Sequence, residues 1–304
     1  MTNLSAAIER IRSGGVVAIP TETVYGLAAD AFNPLAVARI FEIKKRPFFD
    51  PLIVHIADAA HIHRVATNIP GAAQKLMNEF WPGPLTLVLP KTTTVPDIVT
   101  SGLPTVAVRV PDHILARHLI KEAGTPLAAP SANLFGRVSP TTAQHVREQL
   151  GDSVDLILDG GPCRVGLEST IVSFDGPRPC VLRLGGLTVE EIERVAGPVN
   201  VQTIDPEKPQ APGNLPQHYA PRTPLYLLSA ADVPARLAAL RQTNNFSIPS
   251  SSGTGFGAGG GLAIKITKST NLDAGVQLVR QKLGEFDGFT TYTAKAGVSV
   301  GFPR

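Results

Sequence analysis

At 304 residues the chain is long enough for a full hydrophobic core plus a second, smaller domain. A hydrophobic content of 43% and a mean hydropathy of +0.10 fit a globular protein, and the apolar runs fall far short of the ~18 residues that a membrane span needs. Two cysteines, Cys163 and Cys180, exclude a disulfide scaffold, and the net charge of +3 is too small to announce nucleic-acid binding by itself.

Met1 to Arg12 reads as an amphipathic helix, with Leu4, Ile8 and Ile11 on one face and without the basic-then-apolar order of a signal peptide. Val16 to Ile19 is a short buried strand, which Pro20 ends because it cannot donate to a ladder. The oxygens of Thr21, Glu22 and Thr23 and the Tyr25 phenol follow, at the kind of strand end where open α/β sheets hold ligands. Read alone, the segment fits a polar strand-to-helix turn equally well. Further strands are expected at 52–56, 85–90, 105–110, 126–129, 154–159, 169–174 and 179–184. Helices are expected at 35–45, 70–80, 113–123, 141–150 and 188–196. Asn33-Pro34 and Ser139-Pro140-Thr141 open two of the helices, and Gly151 and Gly197-Pro198 close two. Asp175-Gly176-Pro177 joins its flanking strands by a tight turn, so the sheet is expected to be mixed and twisted.

Six prolines between 203 and 224 mark a stiff linker. Strands at 225–228, 262–266 and 289–293 with helices at 231–242 and 272–286 suggest a small α/β domain beyond it. The expected organisation is therefore a catalytic domain at 1–202, a linker at 203–224 and a Rossmann-like domain at 225–304. Charge follows that division: residues 1–200 hold 18 Lys+Arg against 19 Asp+Glu, a net of −1, and residues 201–304 hold 10 against 6, a net of +4. Gly255 to Gly260 matches a dinucleotide fingerprint, but no strand immediately precedes it and it reads as part of a Gly/Ser loop. Neither a P-loop nor a GxSxG elbow occurs, and no Cys/His pair has zinc-ligand spacing.

Four cations stand near predicted strand or helix ends: Lys44, Arg46, Arg109 and Arg183. Lys offers a point charge and Arg a fork, a combination suited to polyphosphate, although cations also simply cap a helix C-terminus. Arg109 lies on a sheet face within Val106 to Val110 and requires an anion, either a ligand carboxylate or a structural Asp or Glu. His55 emerges beside Thr23. Ala128-Ala129-Pro130-Ser131-Ala132-Asn133 and Glu168-Ser169-Thr170 add small residues, hydroxyls and an amide at strand ends. Together they fit a ligand bearing phosphates and a carboxylate.

The ordered segments PTETVYGL (20–27), Lys44-Lys45-Arg46-Pro47, PLIVHI (51–56), WPGPLT (81–86), TVAVRVP (105–111) and APSAN (129–133) carry a resemblance. The chain resembles the threonylcarbamoyl-AMP synthase, or YrdC-like, family in its long form. The resemblance implies a YrdC-like twisted mixed sheet with helices and a nucleotidyltransferase activity. L-threonine, bicarbonate and ATP would be condensed to threonylcarbamoyl-AMP and pyrophosphate. It implies Thr23, His55, Arg109, Ala129 and Ser169 at the threonine. It implies Arg46, Asp50, Thr105, Ser131, Asn133, Ser139, Arg183 and the linker's Tyr219 around ATP, with Lys44 and Arg46 as the catalytic pair. Mg2+ would ride on the triphosphate without a protein metal cage. The implied partners are a downstream tRNA threonylcarbamoyltransferase and a weak tRNA contact, in a cytoplasmic protein with no membrane. The family's terminal Asn-Asp-Arg helix has no counterpart before Arg304, so the last strand is expected to be incomplete or differently packed.

Two other readings remain at this level. One is a non-catalytic RNA-binding module of the same fold, which the net charge of −1 over residues 1–200 disfavours. The other is a carbamoyl-adenylate-forming domain of the hydrogenase-maturation kind, which normally sits in a much longer chain.

Overall fold

The structure is a computed structural model that describes residues 3–202 and the backbone of three further strands, 260–267, 270–280 and 292–301. The chain divides into two compact units, Met1–Pro224 and Leu225–Arg304.

In the first unit α1 (Leu4–Arg12) leads into β1 (Val17–Ile19), β2 (Gly26–Asp30) and α2 (Pro34–Lys44). Then come β3 (Ile53–His55), α3 (Gly71–Phe80), β4 (Leu85–Pro90), a short α4 (Asp97–Thr100) and β5 (Thr105–Arg109). The unit continues through α5 (Ile114–Ala123), β6 (Leu127–Ala128), α6 (Ala143–Leu150) and β7 (Leu156–Ile157). It closes with β8 (Thr170–Ser173), β9 (Cys180–Arg183), α7 (Val189–Ala196) and β10 (Asn200–Val201). Ten strands form one sheet in the order β10-β9-β8-β4-β5-β3-β6-β2-β1-β7. Parallel pairs such as β3–β5 and β4–β8 alternate with antiparallel ones such as β4–β5 and β8–β9, so the sheet is mixed.

The helices begin where the sequence supplies donors with acceptors. Asn33 Oδ1 accepts from Leu35 N and Ala36 N at 3.1 and 3.2 Å, and Pro34 takes the first helical position, where its missing N–H costs nothing. Thr142 caps α6, one residue beyond the predicted start signal, and Thr188 with Glu191 makes a capping box on α7. Side chains alternate across the strands. Val16 and Ala18 join the large core, whereas Val17 and Ile19 join a second cluster with α1 and α5 on the other face. Both faces are buried, which is why the strands read as continuous apolar runs.

In the second unit β11 (Gly260–Thr267), β12 (Thr270–Arg280) and β13 (Tyr292–Gly301) form an antiparallel sheet in chain order. The expected helix at 272–286 is corrected: residues 270–280 are a strand. Leu272, Ala274, Val276 and Leu278 alternate with period two, and Gly275 would weaken a helix by about 1 kcal/mol. The expected strand at 262–266 falls within β11. The one at 289–293 is displaced: β13 begins at Tyr292 and pairs with β12 through Gly301. The linker at 203–224, the strand at 225–228 and the helix at 231–242 lie outside the described residues.

Candidate active site

Ile19 of β1 pairs with Gly26 of β2 in an antiparallel register, so residues 20–25 are a loop between strands rather than a strand-to-helix turn. The loop is buried along its whole length. Thr21 closes it with one hydroxyl: Oγ1 donates to Val24 O at 2.6 Å and accepts from the Thr23 and Val24 amides, both at 3.2 Å. The Tyr25 phenol is not on the pocket wall. It donates to Gly161 O at 2.7 Å and accepts from Gly160 N at 3.1 Å, and burial pushes it up to about 12. Tyr25 therefore anchors the loop.

β3 and β5 run parallel with His55 opposite Arg109, which brings imidazole and guanidinium to one end of the sheet beside Thr23. Arg109 is 3% exposed. Its Nη2 donates to Glu22 Oε1 at 2.7 Å and its Nη1 to Thr23 Oγ1 at 3.0 Å. Its Nε is buried with no partner among the described residues. The anion that the sequence demanded of Arg109 thus includes a structural carboxylate, Glu22, and the two contacts use two of the five guanidinium N–H donors. An orphaned buried donor costs roughly 1–3 kcal/mol. Burial, and then the charge of Arg109, hold His55 well below the usual imidazole range, so the ring is neutral. Its Nδ1 lies 3.2 Å from Ile53 O.

Ser169 leads into β8. Its Oγ is 2.7 Å from Thr86 Oγ1, and Arg183 Nη2 donates to Ser169 O at 3.0 Å and to Ser169 Oγ at 3.2 Å. Gly185 makes this approach sterically feasible: a Cβ there would lie 2.4 Å from Glu168 O. Ser139 Oγ donates to Glu168 Oε1 at 2.5 Å, linking the loop before α6 to the same wall.

Arg46 lines the pocket, yet it is 9% exposed and heavily engaged. Nη2 contacts Asp50 Oδ2 at 2.8 Å and Pro51 O at 2.9 Å, and Nε donates to Asp50 O at 3.1 Å. Burial is the main influence on both partners, lowering the Arg46 guanidinium and raising the Asp50 carboxyl against their mutual attraction. Lys44 is 1% exposed, and its Nζ donates to the carbonyls of Ser131 and Asn133, both at 2.5 Å. Burial first, and then Arg46, push this ammonium well below the usual lysine range.

A pocket of about 540 Å³, its open mouth included, gathers Thr23, His55, Arg109, Ala129 and Ser169, together with Arg46, Ser131 and Arg183. Lys44, Asp50, Thr105, Asn133 and Ser139 do not line it. Thr105 begins β5, four residues from Arg109 and so ~13 Å away along the strand. Asn133 turns its amide nitrogen to the carbonyls of Leu134 and Arg137. Tyr219 lies outside the described residues. Sequence reasoning did not single out Val24, Gly26 or Ile53 as lining residues, gave Thr21, Pro130 and Glu168 only as members of ligand-end segments, and did not name Glu22 as the partner of Arg109. Proximity in PTETVYGL was the available signal for Thr21 and Glu22. Three guanidinium groups and the Glu168 carboxylate line the pocket, and two of those guanidinium groups are paired behind the wall, Arg46 with Asp50 and Arg109 with Glu22.

Residues 9–185 match the family model for Sua5, YciO and YrdC, described as telomere recombination. Residues 187–278 match the threonylcarbamoyl-AMP synthase C-terminal domain. The chain belongs to the threonylcarbamoyl-AMP synthase family. Among relatives of that name, the Bacillus subtilis protein is 48% identical over 243 residues, covering 79% of this chain and 70% of its own length. The Pyrococcus abyssi protein is 49% identical over 217 residues, covering 69% of this chain and 63% of its own length. The crystal structure of P. abyssi Sua5 complexed with L-threonine superposes with a TM-score of 0.77 at 42% identity, covering 83% of this chain and 77% of that one. The mixed α/β sheet is thus that of the synthase family, and among the described residues no helix is long and apolar enough to cross a membrane.

Proposed function

We propose that this protein is an L-threonylcarbamoyladenylate synthase, and that the pocket binds L-threonine through Arg109. The observation that carries this reading is the Arg109 guanidinium on the wall of a pocket that also holds the Thr23 and Ser169 hydroxyls and the neutral His55. A carboxylate meets the guanidinium, the hydroxyls satisfy the polar head of the amino acid, and Ala129 leaves room for its side chain.

The threonine amine adds to CO2, forming a C–N bond and releasing a proton to give a carbamate. A carbamate oxygen then attacks the α-phosphorus of ATP, the α–β anhydride bond breaks, and pyrophosphate leaves with the electron pair. No covalent enzyme intermediate is required, so the protein's task is orientation and charge neutralisation. Arg46, Arg183 and Ser131 face the phosphates in this reading. Lys44 and Asp50 act one layer behind them. ATP enters with Mg2+ on its phosphate oxygens as part of the substrate. The product suits a downstream tRNA threonylcarbamoyltransferase in the cytoplasm, with tRNA contact to this protein weak.

An RNA-binding module is disfavoured by where the cations sit. Arg46 and Arg109 are at most 9% exposed, out of reach of a nucleic-acid backbone that prefers a surface stripe. The test is pyrophosphate release from ATP, Mg2+ and bicarbonate with and without L-threonine. Threonine-dependent release is expected; release that ignores threonine, or none, overturns the proposal.

A further inference from the structure

The Glu22 side chain is 0% exposed and does not line the pocket. Both of its oxygens accept. Oε1 takes Arg109 Nη2 at 2.7 Å, and Oε2 takes the backbone N–H of Asp112 at 2.9 Å. One carboxylate thus joins the loop after β1 to the end of β5 and the turn beyond it. Thr23, the next residue, accepts from Arg109 Nη1 at 3.0 Å. Two adjacent residues of one loop therefore grip two of the three guanidinium nitrogens, and the third, Nε, is buried without a partner among the described residues.

We propose that Glu22 is the positioning residue of the threonine site. It fixes the plane of the Arg109 guanidinium so that its remaining N–H groups are held in one orientation for the ligand carboxylate, and it neutralises the guanidinium so that the empty pocket does not hold an uncompensated buried charge. This inference rests on the threonine reading of the pocket. The chemistry makes it specific, because a carboxylate has two acceptor oxygens and a carboxamide has one. Glu22→Gln must lose either the Arg109 contact or the Asp112 contact, whichever way the amide turns. In both cases the guanidinium loses its fixed plane while Arg46, Ser131 and Arg183 are untouched.

The experiment measures L-threonine binding by calorimetry and the KM values for threonine and ATP in threonine-dependent pyrophosphate release. The proteins are wild type, Glu22→Gln, Arg109→Lys and the double variant. Glu22→Gln is expected to weaken threonine at least tenfold while the ATP KM stays within twofold. The double variant is expected to bind threonine no more weakly than Arg109→Lys alone, because Glu22 acts through Arg109. Glu22→Asp keeps two acceptors but draws them back. It is expected to lie between wild type and Glu22→Gln, and it serves if the Gln variant does not fold. Unchanged threonine affinity, equal losses for threonine and ATP, or strictly additive losses would overturn the role of Glu22. Failure of wild type itself to respond to threonine would instead overturn the reading of the pocket.

Discussion

Lys44 Nζ donates to the carbonyl oxygen of Asn133 at 2.5 Å, so the last residue of α2 holds the loop that follows β6. The same ammonium takes Ser131 O, and the Lys44 carbonyl in turn accepts from Phe135 N at 2.9 Å. Ser131 is on the pocket wall, with Ala129 and Pro130 of the same loop. Lys44 therefore shapes the phosphate side of the site through the backbone of 131–135.

Replacing Lys44 by Met keeps the volume and removes the donors, leaving two carbonyls short of a partner. A loss of about 2–4 kcal/mol in stability is expected from two such groups. The ATP KM should rise and threonine affinity should be nearly retained. Denaturant titration with separate KM measurements checks this; normal stability with a purely kinetic defect would return Lys44 to direct contact with the triphosphate.

Arg46→Ala is not the near-neutral surface change that a helix-end cation would suggest. It strands Asp50, which is 2% exposed and whose Oδ1 already lacks a partner among the described residues. Removing one partner of a buried pair costs about 3–5 kcal/mol. The melting temperature should drop and turnover per folded molecule should fall as well. Arg46→Ala/Asp50→Ala should recover part of the stability without recovering turnover. A single variant that melts like wild type would contradict the pairing seen here.

Arg109→Ala removes both the ligand donor and the counter-charge of Glu22. Threonine binding should weaken by ~2–5 kcal/mol, the scale for losing one partner of a desolvated pair, and ATP binding should change much less. Stability should fall in the same variant because Glu22 is left buried and unpaired. Calorimetry with each ligand, alongside thermal melts, separates the two effects.

His55 predicts a pH dependence with a definite sign. The unfolded chain takes up a proton near 6.5, whereas the folded site refuses it until well below that value. As pH falls through 6.5 the unfolded state binds more protons than the folded state, and stability declines by up to about 1.4 kcal/mol per pH unit. Above 6.5 this contribution is flat. Unfolding midpoints from pH 5 to 8 for wild type and His55→Asn isolate it: the variant should show a shallower acid slope, and equal slopes would mean that the folded imidazole titrates normally.

Local pattern alone determined a good part of this protein. The five longer helices after α1 and eight strands were legible because apolar periodicity, Pro and Gly stops and Asn or Thr caps act within a few residues. The five residues assigned to threonine stood in short motifs at strand ends, and the sheet brings all five to one pocket. What only the tertiary structure decided is which charge meets which partner. Glu22 and Arg109 are 87 positions apart, and Lys44 and Asn133 are 89 apart. Nothing local says whether a lysine at a helix end faces phosphate or carbonyl. Residues 20–25 also turned out to join two antiparallel strands, because β2 is an almost all-apolar run whose strand character depends on β1 and β6 lying beside it. Periodicity is a property of neighbours in sequence, whereas ion pairs and strand partners are chosen by which elements the fold brings together.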